Sequence, residues 1–456
     1  MVRRKIPAEL ASWLSIPLGD EYNRFEQSIQ EDPVTGLRTN PYKLYPLPWP
    51  THPIPWHPDG HFLDARPTFT LDPGLHAGAY YVQDPSTMLL YSTLREAIQG
   101  TPKRVLDLCA APGGKSTLIA SLLRPDDLLI ANEIVPQRYH ILHENLTKWG
   151  IPNVVTLSAR PEQLQDKCPA LFDVILVDAP CSGEGMFRKE PIALEQWSTG
   201  LVQQCALRQE SILEAAWGLL APGGSLIYAT CTYNHYENLD QVNHLLREFP
   251  EASSVPRHDL PANVMPVTTG DATGYQCWPH RISGEGFFFS VLIKAADTPL
   301  QSWKKPKLLH SKVHSSLEKV FTRHISDLQG LAPLDHHNML YAIPSAHLEL
   351  VSSFLHHFPQ AEPVTGLGQL IGQQFKPHPA LGLSTVYQVS FPDLELELDQ
   401  ALVFLAQKPL PISAPPGWLR ITYQSLGLGW AKSVGNRLNN YYPKHWRIRH
   451  LPREYE

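Results

Sequence analysis

From residue 80 to 295 short apolar runs alternate with helical stretches, and this alternation leaves few architectures open. KRVLDL (103–108) reads as a buried strand and the segment after Lys115 as a helix. DLLIAN (127–132) is a second strand, followed by an amphipathic helix that Pro136 opens and that runs to Trp149. NVVTL (153–157) is a third. FDVILVD (172–178) is a near-continuous apolar run, the pattern of a central parallel strand covered on both faces. A long helix over about 201–220 and the strands SLIYAT (225–230) and FFFSVLIK (287–294) complete the region. Repeated β-α-β units predict an α/β, doubly wound Rossmann-like sheet.

The chain has 456 residues, which at roughly 150 per domain leaves room for about two further modules. The expected division is an N-terminal module with a proline-rich connector (1–76), the α/β core (77–298), an intermediate α+β domain (299–370) and a C-terminal region (371–456). The proline ladder Pro46–Pro58 reads as an extended connector. WKKPKLLHSK (303–312) reads as a basic linker. DLELELD (393–399) alternates acid and leucine and reads as a half-exposed strand. Charged residues at 18% exclude a highly charged disordered chain. No run of about 18 apolar residues suggests a membrane span, and the basic N-terminus lacks the apolar core of a secretory signal. Six cysteines, none within four residues of another, give no CxxC motif. Such sparse use suits a reducing compartment, so a cytoplasmic protein is expected. The His pairs at 336–337 and 356–357 lack ligand partners at metal spacing, and no metal is expected.

VLDLCAAPGGKST (105–117) is a strand running into a glycine turn and a helix. Gly113 and Gly114 let the backbone bend towards a ligand, and the helix start offers free amides. A P-loop needs glycine where Cys109 stands, and G-x-G-x-x-G is absent. A phosphate ligand is therefore disfavoured, and a plain structural turn is the competing reading. Glu133 ends the next strand, about 20 residues on, where an acid commonly accepts ribose hydroxyls.

The fourth strand delivers DAPCSGEGMFRKE (178–190), with Asp178 and Cys181 at its tip. Enzymes that methylate exocyclic amines of bases carry [DNS]-P-P-[YFW] there; a cysteine instead suits attack on a ring carbon. The fifth strand delivers ATCTY (229–233), with Cys231. Either cysteine alone could be inert packing. Two at neighbouring strand ends, where α/β folds place their chemistry, form a candidate pair. A thiolate adding to one ring carbon of a base makes the neighbouring ring carbon nucleophilic. Asp178 is positioned to bond ring nitrogen 3 or the exocyclic amine. Lys115 is the nearest candidate cation for Cys231. Cys109, Cys168, Cys205 and Cys277 read as packing residues.

DLCAAPGGKST resembles the S-adenosylmethionine loop of the RNA 5-methylcytosine methyltransferases of the Sun family, which include the bacterial 16S ribosomal RNA type. The resemblance implies cofactor contacts from Cys109, Ala110, Ala111, Pro112, Gly113, Gly114 and Lys115, with Glu133 on the ribose, and with Arg138 and Asp178 beside it. Asn145 matches the same family helix as Arg138. It implies Cys231 as nucleophile and Cys181 in product release. The TCT cysteine separates this pattern from DNA cytosine methyltransferases, which use the fourth-strand cysteine. One departure is LSARPEQL (157–164), where several relatives carry an acid; backbone around Ser158 to Arg160 is the expected substitute on the adenine side.

GLRTNPYK (36–43) resembles the family's N-terminal pattern. Arg38 and Lys43 could meet RNA phosphates, with solvated surface the competing reading. Arg188 and Lys189 are candidates for an RNA backbone contact. Gln83, Asp84 and Ser86 read as a helix cap, and Gly284 and Gly286 as a tight loop. LGWAKSVGNRLNNYYPKHWRIR (428–449) resembles a PUA-like RNA-binding end. Its Trp430, Tyr441, Tyr442 and Trp446 suit base stacking, against a competing reading as barrel core. Net charge is -6, yet residues 410–456 hold seven Lys/Arg and two Asp/Glu, so the basicity is concentrated at one end. The implied function is S-adenosylmethionine-dependent methylation of cytidine carbon 5 in 16S ribosomal RNA, free or in the small subunit, by a monomer. Transfer RNA as substrate, and a non-catalytic ribosome-assembly factor, are the alternatives.

Overall fold

The computed structural model describes residues 4–299, 315–325, 330–372, 374–388 and 390–452, so the basic linker 303–312 lies outside the described residues. Its centre is a sheet in which five strands run parallel. In spatial order they are Leu220–Thr230, Phe172–Asp178, Arg104–Asp107, Leu128–Asn132 and Val154–Leu157. Chain order along the sheet is thus 5-4-1-2-3. The order reverses between the first and fourth strands, the switch point at which open α/β sheets bind ligands. Phe287–Lys294 adds antiparallel beside the fifth strand, and Ala272–Cys277 and Met265–Thr269 extend that edge. Glu362–Pro363, from the C-terminal half, pairs with Val154–Leu157 and covers the opposite edge.

The apolar runs have a simple physical cause. Side chains alternate across a strand. Leu106, Ile130, Val155 and Ile175 enter one core cluster, while their neighbours Val105, Leu129, Val154 and Val174 enter another on the opposite face. Both faces are dry, so every position must be apolar. Each such aliphatic side chain contributes about 1.5–3 kcal/mol on burial. The helix Pro136–Trp149 starts on its proline and ends at Gly150, whose φ of 87° closes the C-cap through its N–H to Leu146.

The N-terminal module comprises the helices Ala8–Leu18 and Tyr22–Gln30 and a sheet in the order Thr51–Pro53, Gly60–Leu63, Thr35–Thr39, Tyr80–Val82. The proline ladder is therefore not wholly a connector. Thr51–Pro53 forms an edge strand, a position that leaves proline's missing N–H without consequence. The C-terminal half has one sheet of Leu331–His336, Met339–Pro344, Gly366–Ile371 and Gln374–Pro377. A second comprises Asp393–Glu395, Ala414–Tyr423, Leu426–Gly435 and Leu438–Asn440. The half-exposed strand expected over 393–399 is only three residues long. Glu397 then caps a helix, Leu398–Leu405, in a capping box with Gln400. That local cap overrides the period-two pattern.

Candidate active site

The tips of the first, fourth and fifth strands converge at the switch point. Cys181 follows the fourth strand and Cys231 the fifth, and their sulfurs lie 3.2 Å apart as free thiols. The hydrogen bond to Cys231, together with burial, holds the Cys181 thiol well above its usual pKa. Cys181 is therefore held in its protonated form. Lys115 Nζ donates to Asp178 Oδ2 at 2.7 Å and lies over the Phe287 ring. Burial lowers the lysine pKa, but Asp178, with added attraction from Cys231, outweighs it and keeps the ammonium charged. The structure thus brings Asp178, Cys181 and Cys231, singled out from the sequence, together at neighbouring strand ends, with Lys115 reaching them from the helix Gly114–Leu122.

Two buried carboxylates hold the cysteine loops together, and the sequence reading missed both. Glu237 accepts Ser182 N at 2.9 Å, the Ser182 hydroxyl, Asn234 Nδ2 at 2.7 Å and Gln209 Nε2 at 3.0 Å. Burial raises its pKa. Glu184 accepts Tyr233 N at 2.7 Å, Asn234 N at 3.0 Å and Trp197 Nε1 at 2.9 Å. Each acid comes from one cysteine loop and grips the other. A loop acid is solvated by default, so only the nearby Cys-Ser-Gly-Glu and Cys-Thr-Tyr-Asn-x-x-Glu spacing could have signalled them. Gly185 and Gly286 also touch: a Cβ on Gly185 would lie 2.3 Å from Gly286 O.

The glycine turn bends at Gly113, where φ is 114°. The helix after it, Gly114–Leu122, has no side-chain cap on its amides. The helix Pro136–Trp149 grips the turn from outside: Arg138 donates to Ala111 O at 2.7 Å and Asn145 to Pro112 O at 2.8 Å. Ala110 N is held by Asn132 O. Glu133 is buried, accepts Val135 N at 2.8 Å and lies 3.4 Å from Arg138. Cys109 lines the turn, and burial raises its thiol well above the usual value. Asp107, not singled out from sequence, accepts Ser116 through one oxygen; burial lifts its pKa to about 7, and its other oxygen has no partner among the described residues. Backbone at 158–160 is mostly occupied: Gln360 donates to Ser158 O, Asn132 bonds Ala159 N and O, and Gln163 accepts Arg160 N.

Several expected RNA contacts turn out to be internal. Arg38 is fully buried; it donates to Thr117, Ser121 and Gly114 O and stacks on Trp149. Asn40 donates to Gly78 O and Trp149 O, and Lys43 Nζ to Ala77 O and Lys148 O. GLRTNPYK therefore clamps the end of the helix that grips the glycine turn. Arg188 is buried against Glu285 at 2.7 Å, and Lys189 pairs with Asp84 at 2.6 Å. Trp430, Tyr442 and Trp446 are core residues, leaving Tyr441 half-exposed at the surface. Each of these side chains found a dry partner from a distant segment. The Asp84 cap is present: Oδ1 accepts Ser86 N at 2.9 Å.

Burial alone lowers the Lys43 pKa to about 7. Between pH 7 and 10.5 the unfolded chain then holds a proton that the folded chain lacks, so stability rises with pH. The wild type should gain thermal stability relative to Lys43→Met as pH rises through that window. Differential scanning fluorimetry of both proteins checks this; a flat difference counts against a Lys43 that loses its proton on burial.

Known proteins fit this geometry. A family model described as 16S rRNA methyltransferase RsmB/F matches residues 98–293. Models for the N-terminal domain of 16S rRNA methyltransferase RsmF and for the methyltransferase RsmF PUA domain match 6–85 and 391–448. Ribosomal RNA small subunit methyltransferase F of Erwinia tasmaniensis is 31% identical over 94% of each chain. Its Klebsiella pneumoniae counterpart is 32% identical over 94% of each. A methyltransferase homolog protein from Pyrococcus horikoshii shares the fold, with a TM-score of 0.55 and 24% identity over 64% of this chain and 97% of that one. With two full-length relatives above 30% identity and all three modules matched, this chain belongs to the ribosomal RNA small subunit methyltransferase F family.

Proposed function

We propose that this protein uses S-adenosylmethionine to methylate carbon 5 of cytidine in 16S ribosomal RNA through a covalent adduct on Cys231. The observation that carries this is the pair of thiols 3.2 Å apart beside the Lys115–Asp178 ion pair. Enzymes acting on exocyclic amines need no such pair.

The turn has the donors and acceptors the cofactor needs. Uncapped amides at Gly114 and Lys115 suit a carboxylate, the unpartnered Asp107 oxygen suits an ammonium, and Glu133 suits a ribose diol. Backbone of Cys109, Ala110, Ala111, Pro112 and Gly113 would line it, with Arg138 and Asp178 at its rim. When bound, S-adenosylmethionine supplies an electrophilic methyl group. The occupied backbone at 158–160 leaves little there for the adenine side, so the contact expected at that place is not proposed.

The residues then divide the work. Cys181 stays protonated, and the positive charge of Lys115 is placed to stabilise Cys231 as it attacks as the thiolate. Cys231 sulfur bonds carbon 6, and the ring electrons move to carbon 5. Asp178, held by Lys115, orients the base through its nitrogen 3 and amino edge. Once Cys231 is a thioether, its hydrogen bond and charge no longer hold Cys181 up, leaving burial and Glu237 to do so. Cys181 then gives its proton to solvent water and, as the thiolate, takes the proton from methylated carbon 5. The carbon 6–sulfur bond breaks, the ring double bond re-forms and the Cys231 thiolate leaves.

The test is to incubate the full chain and S-adenosylmethionine with naked 16S RNA, small subunits or transfer RNA. Digested nucleosides are then read by mass spectrometry. The expected product is 5-methylcytidine from 16S RNA in one of its two forms. N4-methylcytidine, product from transfer RNA alone, or no methylated nucleoside overturns the proposal.

A further inference from the structure

A concavity of about 620 Å³ lies away from the cysteines, on the seam between the N-terminal module and the C-terminal region. The alternation of the last described segment builds one wall. Trp446 and Ile448 point into the C-terminal core, and Ile448 N bonds Leu405 O. Arg447 and Arg449 must therefore share the outward face, where both are exposed and line the concavity with His450. Arg66 enters from the N-terminal module, exposed and over the Phe69 ring at 5.5 Å. The seam is fastened by His76 to Tyr442 OH at 3.1 Å and by Lys148 over the Trp446 ring. The site is thus preformed.

Three arginines from two modules face one space, and none has a carboxylate partner among the described residues. The lining acid Glu144 is taken by Lys148 at 2.5 Å. Guanidinium forks match phosphate oxygens in pairs. On a chain of net charge -6 such a patch can concentrate a polyanion at one place. The floor of the concavity is the helix Pro136–Trp149. Its Asn145 both lines this space and holds Pro112 O of the glycine turn. The seam is therefore continuous with the rim of the catalytic cleft.

We propose that this seam is a composite subsite for backbone phosphates of the substrate RNA next to the target cytidine, with Arg66, Arg447 and Arg449 as its ligands. The proposal rests on the RNA reading above. It moves the N-terminal module's RNA contact from Arg38 and Lys43 to Arg66.

The test uses the full chain with Arg447→Gln/Arg449→Gln, and separately with Arg66→Gln. Binding of a fluorescent 16S fragment is followed by anisotropy over a range of salt. Each lost phosphate contact should lower the slope of log K against log salt by about one. The double variant should bind about tenfold or more weakly at physiological salt, with its slope reduced by about two. Arg447→Lys/Arg449→Lys should recover much of the loss. S-adenosylmethionine affinity by calorimetry should stay at the wild-type value, excluding misfolding. Wild-type RNA affinity and slope in both Gln variants, while the wild type methylates RNA, overturn the subsite alone. So does a seam that binds inorganic phosphate while RNA binding is unchanged. A wild type that neither binds nor methylates RNA overturns the underlying reading as well.

Discussion

Replacing Cys181 with alanine is expected to leave the protein covalently fixed to its RNA. Cys231 is intact in this variant and still next to Lys115, so addition to carbon 6 proceeds. The missing step is removal of the carbon 5 proton, for which the second sulfur at 3.2 Å is the placed base. Incubation with RNA and S-adenosylmethionine should give a protein–RNA band that survives denaturing electrophoresis. Free 5-methylcytidine product should fall to less than one equivalent per enzyme. The band should vanish in the Cys181→Ala/Cys231→Ala double variant. Multiple turnover by Cys181→Ala, with no adduct, would mean that another group releases the product.

Cys231→Ala should remove both product and adduct. Loss of a covalent nucleophile costs on the order of 10⁵–10⁶-fold in turnover in well-characterised cases. Here the residual should be indistinguishable from background, because carbon 5 of cytosine is too weak a nucleophile without the adduct. The side chain is small and lies at a loop held by Glu184 and Glu237, so the fold should survive. Unchanged S-adenosylmethionine binding by calorimetry would show this. Normal turnover by Cys231→Ala would remove the basis of the mechanism. An adduct in Cys231→Ala with none in Cys181→Ala would exchange the two roles.

Much of the core was legible in the sequence because its periodicity is local. The helix Pro136–Trp149 and the strand Phe172–Asp178 begin and end as the pattern predicts. Asp178, Cys181 and Cys231 were legible as candidates because each ends or follows a strand in a distinctive local motif, and Lys115 because it opens the helix after the glycine turn. What could not be read was the fate of polar side chains whose partners lie far along the chain. Arg38 meets Thr117 and Lys43 meets Lys148, and no local pattern distinguishes these from surface residues. Glu184 and Glu237 are hidden for the same reason. The C-terminal aromatics misled in the other direction: Trp430 lies against Gly382 and bonds His378 O. Interleaving with basic residues is what a thin barrel wall produces when alternate side chains point inward.

The clamp formed by GLRTNPYK has a consequence for how the chain is made. Lys43 finds one carbonyl partner 34 residues later and the other 105 residues later. At a synthesis rate of about 5–20 residues per second, that second partner leaves the ribosome some 5–20 seconds after the lysine. Until then Lys43 has only the Ala77 carbonyl, and Arg38 lacks the Trp149 ring on which it stacks. Two cations must stay hydrated on a nascent segment until the helix ending at Trp149 arrives. The N-terminal module is therefore first in the order of synthesis but reaches its final packing only after the helix ending at Trp149 has been made.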